Sequence, residues 1–80
     1  MKIPQGLEGV LSIDPQIMGG EICFTGTRVP LRVLLDNLQE GLSLDEFVEE
    51  YPTVDRDQLL AVVRWQQQQT LHAAGLDLAS

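Results

Sequence analysis

The feature that most constrains this chain is a segment near its N-terminus that mixes turn-forming residues with apolar ones. It runs from Ile13 to Pro30 and reads IDPQIMGGEICFTGTRVP. A flexible linker buries nothing, so it has no use for the isoleucines, phenylalanine and valine that recur here. Glycine and proline set where the backbone turns. The pattern therefore predicts a segment of defined shape, as a fold or an interface requires.

The length of the chain limits how it can be stabilised. Its 80 residues suit a single domain, 1–80, and a chain of this size buries only about 60% of the surface that its unfolded form exposes. The one cysteine, Cys23, cannot form an internal disulfide, and with the one histidine, His72, it provides too few ligands for structural zinc. We therefore expect no metal or cofactor, and stabilisation by a protein partner or by a homodimer.

Composition also indicates where the chain works and what it binds. The N-terminus lacks the apolar run of a signal peptide, and the longest apolar run, residues 59–63, is far too short to span a membrane. We therefore expect a cytoplasmic protein without membrane attachment, for which an unpaired cysteine is normal. The net charge of -7 opposes the phosphate contacts on which nucleic-acid affinity depends. The same charge favours a basic protein partner.

Two short strands are predicted in the first third of the chain. Residues 8–14 and 21–25 have the composition and alternation of short strands. Each strand is followed by a turn signal, namely Gly19-Gly20 and Gly26-Thr27. Because a small pair of strands has open edges, we expect these edges to favour pairing across a two-fold axis.

Helix signals begin directly after this β-element. Pro30 suits the first position of a helix, and leucines then follow at the spacing of one apolar face as far as Gly41. Ser43 and Glu46 form a capping box at the start of a second helix. Pro52 ends that helix, because proline cannot continue it.

A third helix completes the predicted domain. Asp55 and Gln58 mark its start in the same way, and Gly75 marks its end, so that we expect the tail from Leu76 onward to fray. The connections between helices are short, which requires neighbouring helices to pack closely at steep angles. The sequence thus predicts a mainly α protein with a short N-terminal β-element, in which residues 30–75 form a tri-helical bundle of helix-turn-helix type.

Several motifs, taken together, resemble one protein family. They are spread over residues 10–65 and comprise Ser12-Ile13-Asp14-Pro15, Gly19-Gly20, Gly26-Thr27-Arg28-Val29-Pro30, Gly41-Leu42-Ser43 with Glu46, and Tyr51-Pro52. In this combination and spacing the chain resembles the family called domain of unknown function 433. The resemblance implies a fold similar to helix-turn-helix domains with a short β-element, for which the glycine- and proline-rich motifs are structural.

The resemblance also implies a function. Many members of that family are thought to be antitoxins or antitoxin-like proteins, encoded beside a PIN-like ribonuclease toxin. We therefore expect a protein that binds and neutralises such a toxin. The alternative is a small DNA-binding transcriptional regulator, for instance of its own operon. An enzyme is not expected, because no pair of catalytic groups can be placed.

The predicted second helix carries a run of acids, Asp45, Glu46, Glu49 and Glu50. One interpretation is a solvated helix face whose first acids complement the helix dipole. The other is a surface that binds a basic toxin, for which Glu49 and Glu50 are the candidate residues. Size and charge favour a binding role but do not choose between faces.

A second set of candidates belongs to the DNA-binding alternative. In a helix-turn-helix motif, the N-terminal residues of the second helix read the major groove. Here Arg56 and Gln58 are placed to contact guanine and adenine edges, and Arg32 and Arg64 to contact the backbone. Two neighbouring aspartates oppose the approach of phosphates, so a capped helix start is the competing interpretation.

Trp65 lies at the edge of the apolar stripe of the third helix. Aromatic residues are enriched in interface cores, which makes Trp65 a candidate contact for a dimer or a toxin. Leu71, Ala74 and Leu76 then prolong an apolar patch past it. The competing interpretation is simple core packing. The role of Gln66–Gln69 stays open, with a polar helix face as the simpler reading.

Three further positions have alternatives of their own. Gly26-Thr27-Arg28 can form an anion-binding nest with the charge of Arg28, or a tight turn that aims the chain into the first helix. No phosphate-loop spacing is present. The apolar neighbours of Cys23 favour a buried, inert thiol. His72 is placed to complement the dipole at the end of the third helix.

Overall fold

The computed structural model describes residues 1–76. Within them, two short strands precede three helices, in the order β1 (Leu11–Ile13), β2 (Ile22–Phe24), α1 (Leu31–Gln39), α2 (Leu44–Glu50) and α3 (Arg56–Ala73). This mainly helical architecture with an N-terminal β-element confirms the predicted fold class. Of the tail that was expected to fray, Leu76 is described and its amide donates to the carbonyl of Leu71 at 2.8 Å, whereas residues 77–80 lie outside the described residues.

The two strands form a small antiparallel hairpin. Leu11 pairs with Phe24 and Ile13 pairs with Ile22. Leu11 and Phe24 are fully buried, whereas Ile13 at the far end is 40% exposed. The outer edge of β2 is covered as the chain returns, because the Phe24 N–H donates to the carbonyl of Val29 at 3.0 Å. One side of the hairpin therefore faces the core, and its far end does not.

Both strands are shorter than the predicted 8–14 and 21–25, and those bounds were wrong. The chain before β1 forms a turn instead, in which the amides of Val10 and Leu11 donate to the carbonyl of Leu7 at 3.1 and 3.0 Å. Amides held in this way cannot extend a ladder. Sequence alternation alone does not reveal the turn.

Pro30 also differs slightly from its predicted place. It is the N-cap of α1 and not its first helical residue, with φ -68 and ψ 145. Its extended ψ lets it form a β-bridge with Cys23, so the chain is still leaving the hairpin at this residue. The proline nevertheless fixes the direction in which α1 begins at Leu31.

The ends of the helices follow their local signals. Gly41 has φ 94, and its amide donates to the carbonyl of Leu38 while that of Leu42 donates to the carbonyl of Asn37, each at 3.0 Å. This is a Schellman motif, and glycine adopts its left-handed conformation without strain. The predicted end of α1 is therefore confirmed.

The helix starts follow local signals as well. The backbone N–H of Ser43 donates to Glu46 Oε1 at 3.0 Å, and the backbone N–H of Glu46 donates to Ser43 Oγ at 3.1 Å. At the start of α3, the Asp55 N–H donates to Gln58 Oε1 at 3.0 Å. Each bond satisfies an amide that would otherwise lack a partner at the helix end.

The hairpin and all three helices contribute to one hydrophobic core. Its buried members are Leu7, Leu11, Phe24, Leu34, Phe47, Val54, Leu59 and Val62. Those from α3 lie in its first half, and every residue from Gln66 to Leu76 is exposed. Over residues 1–76, no helix combines the length and hydropathy that crossing a membrane requires.

Candidate functional site

The solvent side of α2 is lined by carboxylates. A helix turns by about 100° per residue, so the acids of α2 share one side while its apolar residues share the other. We call this side the acidic face of α2, and it consists of Asp45, Glu46, Glu49 and Glu50, all exposed. On the opposite side Phe47 is fully buried in the core. The predicted run of acids is therefore gathered on one surface.

The first two acids of this face have roles within the fold. The backbone N–H and the hydroxyl of Ser43 lower the pKa of Glu46 through the capping box. Asp45 accepts a hydrogen bond from the guanidinium of Arg56, which links α2 to α3. Both acids also lie in the first turn of α2, where negative charge complements the helix dipole.

Glu49 and Glu50 have no comparable role. They lie in the last turn of α2, which contains no basic residue, so their charges meet the negative end of the helix dipole unfavourably. Within residues 1–76 the ion pairs join Arg32 to Glu21 and Arg56 to Asp45, and neither includes these glutamates. The fold therefore gains nothing from the charges that these two positions carry.

The structure commits the two candidate base-reading residues to internal contacts. Arg56 pairs with Asp45, as described above. Gln58 uses both ends of its side-chain amide, since its Oε1 accepts from the Asp55 N–H and its Nε2 donates to the carbonyl of Thr25, each at 3.0 Å. Gln58 thereby ties the start of α3 to the end of β2. A bidentate contact of Gln58 with an adenine edge would compete with these two bonds.

The two candidate backbone-contacting arginines lie in different surroundings. Arg32 on α1 pairs with Glu21, with Nε at 3.0 Å from Oε1 and Nη2 at 3.2 Å from Oε2. This bidentate bond lowers the pKa of Glu21 and raises that of Arg32. Arg64 on α3 is exposed. Of the four candidate DNA-contacting residues, Arg32, Arg56 and Gln58 are thus bonded within the fold.

Trp65 holds the N-terminal segment against α3. It is partly buried and packs against the core, and its Nε1–H donates to the carbonyl of Gln5 at 3.0 Å. Gly6 lies close to the indole ring, since a Cβ added at Gly6 would lie 3.5 Å from Trp65 Cδ1. Leu71 follows six residues later and so projects from another side of the helix. The core-packing interpretation accounts for these contacts of Trp65.

The Asp14 to Gly20 motif forms two consecutive turns. The Gln16 N–H donates to Asp14 Oδ1 at 2.9 Å across Pro15, which is an Asx turn. Gly19 and Gly20 follow with φ of 65 and 87. These values lie in the left-handed region that favours glycine, so the two glycines have a backbone role here.

Met18 belongs to the same turn and was not singled out from the sequence. Its φ is 51, although a methionine gains nothing locally from a left-handed conformation. Its side chain is 46% exposed. No local sequence signal marks this residue, because methionine is not among the residues that favour a positive φ.

The Gly26-Thr27-Arg28 motif forms a closed turn. Gly26 has φ 81, and the Thr27 N–H and hydroxyl donate to the carbonyl of Phe24 at 3.0 and 2.8 Å. The Val29 N–H donates to Thr27 Oγ1 at 3.1 Å. Because these amides are bonded inside the turn, they do not converge on an anion. Arg28 is exposed and lines an open groove of about 510 Å³.

Cys23 lies in β2 and His72 near the end of α3. Cys23 is 3% exposed, and burial raises the pKa of its thiol, with a further contribution from the charge of Glu21. A protonated, buried thiol is unreactive. His72 lies in the last turn of α3. Among the residues that the structure describes, no cluster of histidine, cysteine or acidic side chains is suited to hold a metal ion.

The fold defines a small, mainly helical domain with a short N-terminal β-hairpin. Residues 11–65 match the family described as Protein of unknown function (DUF433), and the chain belongs to this family. The resemblance that the motifs predict is thereby confirmed. The family description assigns no activity.

One solved structure has a similar fold. It is the crystal structure of a DUF433 member protein from Anabaena variabilis ATCC 29413, with a TM-score of 0.63 and 22% sequence identity over 88% of this chain and 80% of that chain. At this identity the likeness concerns the fold alone. No curated protein matches the chain.

Proposed function

We propose that this protein is an antitoxin-like interaction protein that acts as a dimer in the cytoplasm. In this proposal it neutralises a PIN-like ribonuclease toxin by binding it through the acidic face of α2. One observation carries the proposal: Glu49 and Glu50 are exposed, form no ion pair within residues 1–76 and lie at the helix end that disfavours negative charge.

The chemistry of a ribonuclease suits such a surface. An enzyme that binds RNA presents lysine and arginine to phosphates. A row of carboxylates along one helix offers charges of the same sign as those phosphates and can occupy the same basic cleft. The net charge of -7 adds long-range attraction, which raises the rate of encounter.

The test is co-expression with a PIN-like ribonuclease encoded by a neighbouring gene. We expect the two chains to purify together and the ribonuclease activity to be suppressed in the complex. Glu50→Lys should weaken the complex and restore RNA cleavage. Glu40→Lys is the matched control, because Glu40 is an exposed acid at the C-cap of α1 and lies outside the acidic face.

Two outcomes overturn the proposal. One is the absence of any stable complex with the neighbour-encoded ribonuclease. The other is a complex that Glu50→Lys and Glu40→Lys weaken equally, which would show that net charge matters and that the acidic face of α2 does not. Binding should also weaken with increasing salt, because exposed charges are screened.

A small DNA-binding regulator is the second proposal. The exposed Arg64 on α3 supports it. It ranks lower because Arg56 and Gln58 bind Asp45 and Thr25 within the fold. A gel-shift titration with the promoter of the chain's own gene tests it, and absence of binding even at low salt would exclude DNA recognition by this chain alone.

A further inference from the structure

α3 has a second apolar side that the core does not use. Leu59 and Val62 face the core, and a different set of residues recurs on another side of the helix at spacings of three and four. We call this set the outer stripe of α3, and it consists of Leu60, Val63, Gln67, Leu71 and Ala74. Spacings of this kind form the contact seam of paired helices.

The outer stripe is exposed in its second half, at Gln67, Leu71 and Ala74, and partly buried in its first half. Leu60 and Val63 are only partly buried and do not pack against the core cluster. Leu71 is 40% exposed. A helix gains most of its stability from packing an apolar side, and within residues 1–76 the stripe is not part of the core cluster.

The second half of α3 extends beyond the core as an arm. Every residue from Gln66 to Leu76 is exposed, and Thr70 Oγ1 donates to the carbonyl of Gln66 at 3.0 Å within the arm itself. Short helices without tertiary contacts are marginal in water. Packing of the outer stripe against another helix would stabilise the arm.

The distribution of acidic residues along the chain indicates which helix can pack against the outer stripe. The sequence from Gln58 through Leu76 contains no aspartate or glutamate, in a chain with 12 acids and a net charge of -7. Two copies that meet through any acidic surface repel each other. Two copies that meet through the outer stripe bring no carboxylates of α3 together beyond its first turn.

We propose that two copies of this chain pack their outer stripes against each other as antiparallel helices, with Gln67 at the two-fold axis. In this register Leu60 faces Ala74 of the second copy, and Val63 faces its Leu71. Antiparallel packing also aligns the two helix dipoles favourably. The inference deepens the dimer in the proposed function by naming its surface, and it rests on that dimer.

Gln67 at the axis is compatible with self-pairing. A side-chain amide is both donor and acceptor, so the two Gln67 side chains can bond to each other across the axis. A single polar residue in an apolar seam fixes register and orientation at some loss of stability. One of the four glutamines thereby acquires a specific role.

Disulfide trapping tests this register directly. Gln67→Cys should form a disulfide-linked dimer under mild oxidation, because each residue at the axis meets its own copy. Gln69→Cys is the control, since two residues along a helix project to nearly opposite sides. Cys23 is buried and does not compete. Equal cross-linking at both positions, or none at Gln67→Cys, overturns the proposed register.

Sedimentation of the isolated chain tests the surface. Leu71→Glu should dissociate the dimer, shifting the equilibrium by at least tenfold. Leu35→Glu should not, although Leu35 is similarly exposed, 38% against 40% for Leu71. A monomeric wild-type chain, or dissociation by Leu35→Glu alone, contradicts the proposal. Circular dichroism verifies that both variants fold.

These results are separable from toxin binding. The trapping and sedimentation use the chain alone, whereas the toxin proposal is measured with the ribonuclease. A chain that is monomeric alone, and whose Leu71→Glu variant loses the ribonuclease, would assign the outer stripe to the toxin and overturn the self-association. A dimer that binds no ribonuclease would contradict the toxin proposal and leave the dimer surface established.

Discussion

The exposed sides of α2 and α3 differ in chemistry. The acidic face of α2 consists entirely of carboxylates, whereas the outer stripe of α3 has apolar residues around one glutamine and no acid. Both helices bury their other sides in the same core. A fold of this size therefore presents two surfaces of unlike chemistry around one core, and the two proposals assign each surface to a different partner.

The difference teaches how to separate structural from functional residues in a small domain. In α2, Asp45 and Glu46 form bonds within the chain, and the dipole favours their charge. Glu49 and Glu50 form no ion pair within residues 1–76, and the dipole disfavours their charge. Exposed residues whose charges oppose the helix dipole are therefore the better candidates for binding a partner. Substitutions can separate these residues from structural ones by their effects on stability and on binding.

The largest loss of stability should come from a substitution in the hydrophobic core that α2 and α3 share. Phe47 is fully buried in α2 and packs its ring 4.7 Å from that of Tyr51. Phe47→Ala removes this packing and leaves a cavity, which costs about 3–5 kcal/mol. Because small domains are only marginally stable, we expect loss of cooperative unfolding in a urea titration followed by circular dichroism.

Val48→Ala is the control for this substitution. Val48 adjoins Phe47 but is only partly buried, so its truncation should cost much less. Equal effects of the two substitutions would contradict a core centred on Phe47.

A smaller loss of stability should follow from removing the N-cap that bonds Glu46 in the first half of the acidic face. Ser43→Ala removes the hydroxyl that accepts from the Glu46 N–H, and the loss of such an N-cap costs about 1 kcal/mol. Denaturant unfolding measures it. Ser43→Thr should restore most of the loss, since threonine also caps. A stability equal to wild type in Ser43→Ala would show that the capping box does not stabilise α2.

The pH dependence of the free energy of unfolding should also show the contribution of the Glu46 carboxylate. The pKa of Glu46 is lowered by its bond from the Ser43 backbone and that of Glu21 by its bond from Arg32. Groups that are more acidic in the folded state stabilise it above the ordinary glutamate value of 4.5, and this contribution is lost as the pH falls through their lowered pKa.

Unfolding titrations from neutral pH to about pH 3 measure this loss. Glu46→Gln keeps an oxygen acceptor but cannot ionise. The difference in stability between wild type and Glu46→Gln should therefore shrink as the pH falls. A difference that stays constant with pH would refute the role of the Glu46 charge.

Local features could be predicted from the sequence because their causes are local. The ends of α1 and α2 follow from Gly41, Ser43 and Glu46, whose bonds span a few residues. The acidic face followed from helical spacing alone. The strand bounds were wrong, because a turn anchored at Leu7 takes the amides that a longer β1 would need.

The surroundings of the candidate site could not be predicted in the same way. Arg56 and Gln58 find their partners 11 and 33 residues away, and helix periodicity does not reveal such pairs. α3 carries two apolar sides, and the sequence does not indicate which of them faces the core. The outer stripe was therefore missed, although its residues Leu71 and Ala74 were assigned to a patch beside Trp65.

The smallest effect on stability accompanies the most direct test of the proposed function. Glu50→Lys replaces a charge that opposes the dipole of α2 with one that complements it, which should stabilise the fold by about 0.3–1 kcal/mol. Its affinity for the neighbour-encoded PIN-like ribonuclease, measured by isothermal titration calorimetry beside wild type and Glu40→Lys, should nevertheless fall by tenfold or more. A more stable Glu50→Lys variant that binds the ribonuclease as tightly as wild type would contradict the role of the acidic face.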